Sequence, residues 1–306
     1  MAIKLGSTTI GSLRLGSTEI TKAYLGSTEI YSTGGILDFS SPTVAYSLMD
    51  LGDNRAAFDS IGDTGGETSG VWVVQVRRDI DDDLKSFTAS EVSNGAMLTW
   101  VGTGSSSNGY VSRWYDQSTS QNDAVMATSA DQPYIVQSGV LLQDSNGKPK
   151  ISFASSDYMS FSEVSASTPS VFAVWENPSN QNRGVLCTGF SGWQVFFSDG
   201  STDSDMFYDI NFSFVDPDIY VDGSSTSWST EDDAHTSMAT GNQMLLSLHH
   251  NSNAGQIKVS SLCRISTLGT TSSQPTDLSE FIIYNLNQSS SRTTIESNIN
   301  SRYSIY

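Results

Sequence analysis

Residues 170–175 read Ser-Val-Phe-Ala-Val-Trp, an almost unbroken apolar run that stops at Glu176-Asn177-Pro178. Six residues are too few for a free-standing helix, and Val and Phe favour a pleated, buried surface, so the run predicts a strand covered on both faces. Two more segments have the same grammar: "WQVFFSDG" (193–200) and "QMLLSLHH" (243–250), each closed by Gly, Asp, Asn or Ser turn chemistry. Strands recurring at this spacing predict an all-β sandwich. Composition agrees, since 10% of the chain is aromatic and hydrophobic residues are 37%, enough for a core in 306 residues.

The last stretch breaks the strand grammar. After Ser289-Ser290-Ser291, the residues Ile295, Ile299 and Tyr303 fall at i, i+4 and i+8. That spacing predicts one C-terminal helix lying on the sandwich, with Glu296 and Arg302 off the packed face.

The other end repeats itself. "IKLGSTTIGS" (3–12), "LRLGSTEITK" (13–22) and "AYLGSTEIYS" (23–32) share a ten-residue period, with Leu5, Leu15 and Leu25 before Gly-Ser-Thr and Ile10, Ile20 and Ile30 closing each unit. Gly at the first central position suits a type II′ turn, so each unit predicts a small β-hairpin. Such short strands bury too little alone and need a partner surface, either the rest of the chain or the same segment of other copies. Gly34-Gly35 ends this section. The expected division is therefore 1–35, an anchor and oligomerisation segment, and 36–306, the body.

Charge excludes several partners. Fifteen Lys and Arg against 33 Asp and Glu give a formal charge of -18, which repels phosphate backbones and anionic lipid. No nucleic-acid or membrane partner is expected, and no apolar run suggests a transmembrane span or a secretory signal. Cys187 and Cys263 are read as two buried thiols or, alternatively, one pair across the sandwich.

Two resemblances follow from these segments. The "YLGSTEI" repeats resemble those at the N-termini of bacteriophage virion proteins, tail-fibre and related appendage proteins among them, where they attach the protein to the particle. From about residue 42 onward, "VAYSLMDLG", "VVQVRRDIDDD", "GYVSRWYDQSTSQNDAVMATSADQPYIV", "GKPKISFASSDYMSF" and "LSEFIIYNLNQSSSRTTIESNINSRYSIY" are similar to a module shared by family-54-type α-L-arabinofuranosidases and many phage proteins. The resemblance implies a concanavalin A-like or laminin-G-like jelly roll. It also implies a place on the virion, contacts with other virion proteins through the repeats, self-association as a homotrimer, and a host surface glycan as ligand.

Candidate chemistry is sparse. A retaining glycosidase needs two carboxyls about 5 Å apart, and the best single candidates are Asp116, beside Trp114 and Tyr115, and Glu176, after the strand ending in Trp175. Neither falls on a matching catalytic motif; Asp116 is read first as a turn carboxylate that caps backbone N–H groups, and Glu176 reads equally as a solvated strand end. His249 and His250 are adjacent and His235 is isolated, so metal-ligand spacing is missing. Two acidic stretches, Asp199/Asp203/Asp205 and Asp216/Asp218/Asp222, offer hard oxygen ligands for calcium, the one cofactor candidate, but solvated acidic loops are the preferred reading of both. Trp228, Trp193 and Tyr220 are the aromatic candidates for stacking on sugar rings, with Trp228 expected at the surface because of its polar setting "STSWSTEDD".

Overall fold

The structure, a computed structural model, describes residues 4–5, 8–9, 13–15, 18–20, 22–25, 28–32, 42–51, 72–154, 156–176, 183–188, 194–199, 217–228, 233, 236–237, 241–251, 256–263, 265–267, 270–272 and 276–306. Before residue 42, and in 183–199 and 265–272, the description is of the backbone alone.

The repeats form three separate two-stranded sheets: β1 (Lys4–Leu5) with β2 (Thr8–Thr9), β3 (Leu13–Leu15) with β4 (Thr18–Ile20), and β5 (Lys22–Leu25) with β6 (Thr28–Ser32). Each closes in one register, with Leu5 opposite Thr8, Leu15 opposite Thr18 and Leu25 opposite Thr28. In the sequence only Gly and Ser stand between each paired Leu and Thr, the spacing of a two-residue hairpin. Leu5, Leu15 and Leu25 end the first strands, Ile20 and Ile30 lie in second strands, and Ile10 lies outside the described residues.

The body is mostly strand. It begins with β7 (Val44–Ser47), β8 (Trp72–Arg78) and β9 (Leu84–Thr88), then the short helices α1 (Ala89–Ser93) and α2 (Ala96–Val101). There follow β10 (Gly109–Trp114), β11 (Ala124–Val125), β12 (Tyr134–Gln137), β13 (Val140–Leu141), β14 (Ile151–Phe153), β15 (Met159–Ala166) and β16 (Ser170–Glu176). The chain continues through β17 (Arg183–Thr188), β18 (Gln194–Asp199), β19 (Asp218–Val221), β20 (Ser224–Thr226), β21 (Gln243–His249) and β22 (Ile257–Leu262). The hairpin β23 (Ile265–Thr267) and β24 (Thr270–Ser272), β25 (Thr276–Tyr284) and the helix α3 (Arg292–Tyr303) complete it.

Antiparallel ladders arrange these strands in two layers. The first runs β7-β25-β16-β21-β19-β20 and the second β9-β8-β10-β11-β15-β22-β17-β18. Strand β14 joins them, pairing with β25 of the first layer and, through Ser152, with Tyr134 of β12, which pairs with β10.

β16 shows why the sequence folds this way. Its alternate residues Val171, Ala173 and Trp175 belong to the core between the layers, with Met244, Leu246, Leu248, Leu278, Phe281 and Ile283 beside them and Met159, Val164, Ile257 and Val259 opposite. Phe172 and Val174 point the other way, into a second cluster closed by Ile295, Ile299 and Tyr303 of α3. A strand buried on both faces is apolar at nearly every step, and 171–175 is apolar throughout.

The helix docks through the predicted stripe. Glu296 departs from expectation: it is 2% exposed, beneath the helix, in an ion pair with Arg292. Arg302 also turns inward and holds Glu280, which is 1% exposed. Two helices were not foreseen. Thr88 opens α1 with a reciprocal capping box, accepting from Glu91 N while the Glu91 carboxylate accepts from Thr88 N.

Candidate functional site

The Asp116 carboxylate is a structural hub. It is fully buried; Oδ1 accepts from Ala45 N and Ser118 N, and Oδ2 accepts from Ser118 Oγ, Ser120 Oγ and Asn122 N, all at 2.6–2.9 Å. Asp123 adds Asp116 N and Arg113 as partners, and Asn122 exchanges two bonds with Ser162. The 114–123 stretch therefore staples β7, β10 and β15 together, and Asp116 has no lone pair directed at solvent or a substrate.

Glu176 has a different setting. It ends β16 in register with Asp277 of β25 on one side and Gln243 of β21 on the other. Lys150, just before β14, reaches into this row and bonds Glu176 Oε2 at 2.9 Å and Asp277 Oδ2 at 2.7 Å. The three side chains are only 12–16% exposed. Burial pushes the Glu176 carboxyl above its usual range, against the pull of Lys150 and helped by Asp277 and Asp144. Burial alone would lower the Lys150 ammonium; its bonds to Asp277 and Glu176 outweigh that and raise it. The two carboxylate oxygens are at most about 5.6 Å apart, which reaches the ~5–5.5 Å of a retaining pair. An ammonium sits between them, however, where a glycosidic oxygen would have to lie.

The calcium candidates do not converge. Asp218 opens β19 and takes a bond from Asn251, whereas Asp222 follows the strand at φ 50° and accepts from Leu245 N. Four residue steps along the strand separate them by about 13 Å. Asp199 ends β18, where only the backbone is described, and Asp203, Asp205 and Asp216 lie outside the described residues. Among the described residues, no group of three His, Cys, Asp or Glu is placed to hold a metal.

The aromatic candidates need one correction. Trp228, expected at the surface, is 7% exposed and belongs to the main core, its indole N–H donating to Ser237 Oγ at 3.1 Å. In a polar segment a lone Trp is the one large apolar group able to tie the loop to the core, and burying it outweighs its neighbours' polarity. Tyr220 is half-buried, with the Arg292 guanidinium 3.7 Å over its ring and His249 meeting it edge-on. One stacking face is therefore taken. Trp193 lies outside the described residues, as does His235. Cys263 is buried, and Cys187 of β17 stands opposite Leu262.

The strongest candidate surface is one that local sequence patterns do not mark, the outer face of the second layer. Gln75 and Arg77 of β8, Tyr110 and Ser112 of β10, and Tyr134 of β12 stand side by side on it and are half-buried. Arg77 lies 4.5 Å over the Tyr110 ring, and Tyr110 packs on Tyr134 with centroids 4.6 Å apart. Arg77 is held by Gln132 Oε1, Asp82 Oδ1 and Ser129 O, and Ser112 Oγ donates to Gln75 Oε1. Burial, then Tyr134, raises the Tyr110 hydroxyl well above its usual range, so it stays protonated and able to donate. Beyond Arg77 the turn 79–83 is clamped by Asn108, whose O accepts from Asp79 N, whose Nδ2 donates to Asp79 Oδ2 and whose Oδ1 accepts from Ser138 N. The result is a stiff strip of tyrosine edges, amides and hydroxyls. Comparison with protein-family models, curated proteins and solved structures finds no match to this chain.

Proposed function

We propose that this protein is a bacteriophage virion appendage of the tail-fibre kind, anchored and trimerised by its N-terminal hairpins and displaying a jelly-roll, lectin-like body that adheres to host surface glycan. The observation that carries the reading is the threefold hairpin repeat set before a body with its own large core. A two-stranded sheet of such length is marginal alone, and copies of the chain supply the missing partner strands.

Glycan adhesion rests on the outer face of the second layer. Sugars present apolar C–H faces and hydroxyl edges, which tyrosine rings with neighbouring Gln, Ser and Arg groups match. Such shallow contacts are weak singly and become adequate when three bodies act together. The acidic charge of the chain favours neutral or amine-bearing glycans over polyanionic ones.

The test is to incubate the full chain with surface polysaccharides from candidate bacteria, with and without calcium, and to follow both retention and new reducing ends. Retention without release is expected, and sedimentation should give three copies. Release that is lost in Glu176→Gln would replace the adhesin reading with a glycosidase. A monomer with no retention across the panel would leave a decoration protein that touches only other virion proteins.

A further inference from the structure

Lys150, Glu176 and Asp277 form a constellation that ordinary ion pairing does not require. One amine lies within hydrogen-bond distance of two carboxylates, 2.7 and 2.9 Å away, in a site with little water. We propose that Lys150 and Asp277 condense to an intramolecular amide, a covalent staple between β14 and β25, with Glu176 as the proton shuttle.

The chemistry balances without a co-reactant. One proton passes from the Lys150 ammonium to the Asp277 carboxylate, leaving a neutral amine beside a neutral acid. Nζ then attacks Cγ, forming the N–C bond and a tetrahedral centre. Glu176 takes a proton from the attacking nitrogen and delivers it to a hydroxyl on Cγ, the C–O bond breaks, and one water leaves. The products are a secondary amide, water and the original Glu176 carboxylate.

Three observations favour this over a passive ion pair. Placement comes first: β14 and β25 are hydrogen-bonded from Ile151/Leu278 to Phe153/Thr276, so the amine cannot drift from the acid. Groups held in this way react as if at very high concentration, which favours amide over free acid and amine even in water. Glu176 and Asp277 are also fixed against each other. They are cross-strand partners, and the preceding residues are tied, Trp175 Nε1 donating to Thr276 Oγ1 and Thr276 Oγ1 donating to Glu176 O. Finally, burial raises the Glu176 carboxyl, which makes its carboxylate the stronger proton acceptor that the shuttle step needs. The step happens once per chain, so even a slow reaction runs to completion after folding.

The staple would close a loop of more than a hundred residues, the length at which a cross-link restricts the unfolded chain most. It would hold the strand that joins the two layers, where pulling on the body would otherwise begin to separate them.

Intact mass of the purified full chain tests this directly. The expected chain is lighter than its sequence by one water, and proteolysis yields one branched peptide joining the Lys150 and Asp277 segments. Glu176→Gln should fold, as its circular dichroism will show, and carry the full unmodified mass. Lys150→Met should do likewise. A wild-type chain at full mass after prolonged incubation overturns the proposal, and so does a missing water mapped to other residues. Neither result depends on whether the protein binds glycan.

Discussion

The outer faces of the two layers are built on the same antiparallel frame and put to opposite uses. On the first layer, α3 covers Phe172, Val174, Leu245 and Ile282, and two carboxylates beneath it are paired, Glu280 with Arg302 and Ser47 and Glu296 with Arg292, while Glu296 Oε1 and Arg302 Nε make no hydrogen bond among the described residues. On the second layer, Arg77, Tyr110 and Tyr134 stay half-exposed and are steadied from the sides by Gln132, Asp82 and Asn108. A covered face can hold charge only in closed networks, because an unpaired buried ion costs several kcal/mol. An open face keeps its donors available at little cost. The first face therefore carries stability, and the second is the face to which the proposed adhesion is assigned.

The sharpest way to break that contrast is to unpair a charge under the helix. Glu280 is 1% exposed and receives Arg302 at 2.6 Å and Ser47 Oγ at 2.7 Å. Arg302→Ala should destabilise the body by about 3–5 kcal/mol, read as a lower urea midpoint. A loss below 1 kcal/mol would mean that water already reaches the carboxylate. Tyr303→Phe removes a hydroxyl that donates to Ser279 O and also lies 3.0 Å from Ser47 Oγ, and should cost about 1 kcal/mol.

The covered face should also impose a pH dependence. His249 is fully buried, with Ser170 Oγ on its Nδ1 and Nε2 unpartnered. Burial, reinforced by Arg292 and opposed by Asp218, pushes its pKa down to about 4. Between pH 6.5 and 4 the unfolded chain takes up a proton that the folded chain refuses, so this group's contribution is lost as pH falls, by up to about 3 kcal/mol. The carboxyls of Glu296 and Asp222, raised by burial, act in the opposite sense: the folded chain holds their protons more tightly, so they favour it as pH falls through their range. The comparison is therefore between wild type and His249→Gln, whose stability should fall less over the same interval. Identical slopes would show that the folded site accepts the proton.

The fold was readable where one segment carried its own signal. The hairpins announce themselves through a fixed period, α3 through Ile295, Ile299 and Tyr303, and β16 through an unbroken apolar run. The site was less readable because strand register assembles it. Arg77 and Tyr110 are cross-strand partners, as are Tyr110 and Tyr134, and no local pattern marks those pairs. Lys150 likewise gains its meaning only when β14 lies against β25. Trp228 misled because polarity of flanking residues says little about a side chain that large. The capping box Thr88-x-x-Glu91, by contrast, stood in the sequence and would have located α1.

The smallest change in stability should accompany the largest change in binding, and it tests the open face. Tyr134 ends the Arg77–Tyr110–Tyr134 ladder, so removing its ring takes away one cross-strand aromatic contact at a half-exposed position. Such a contact contributes about 0.5–1 kcal/mol. Tyr134→Ala should therefore lower the unfolding midpoint only slightly while the sandwich core stays closed. A sugar that stacks there loses its platform, and a loss of roughly tenfold in affinity per body corresponds to about 1.4 kcal/mol. In the proposed trimer the loss multiplies over three bodies, so retention of the full chain on polysaccharide should fall much further than a single-site isotherm suggests. Tyr220→Ala supplies the contrast, because its ring already carries Arg292 and should cost stability without altering retention. If Tyr134→Ala binds as wild type does and Tyr220→Ala does not, recognition belongs to the helix-covered layer and the division of labour between the faces is reversed.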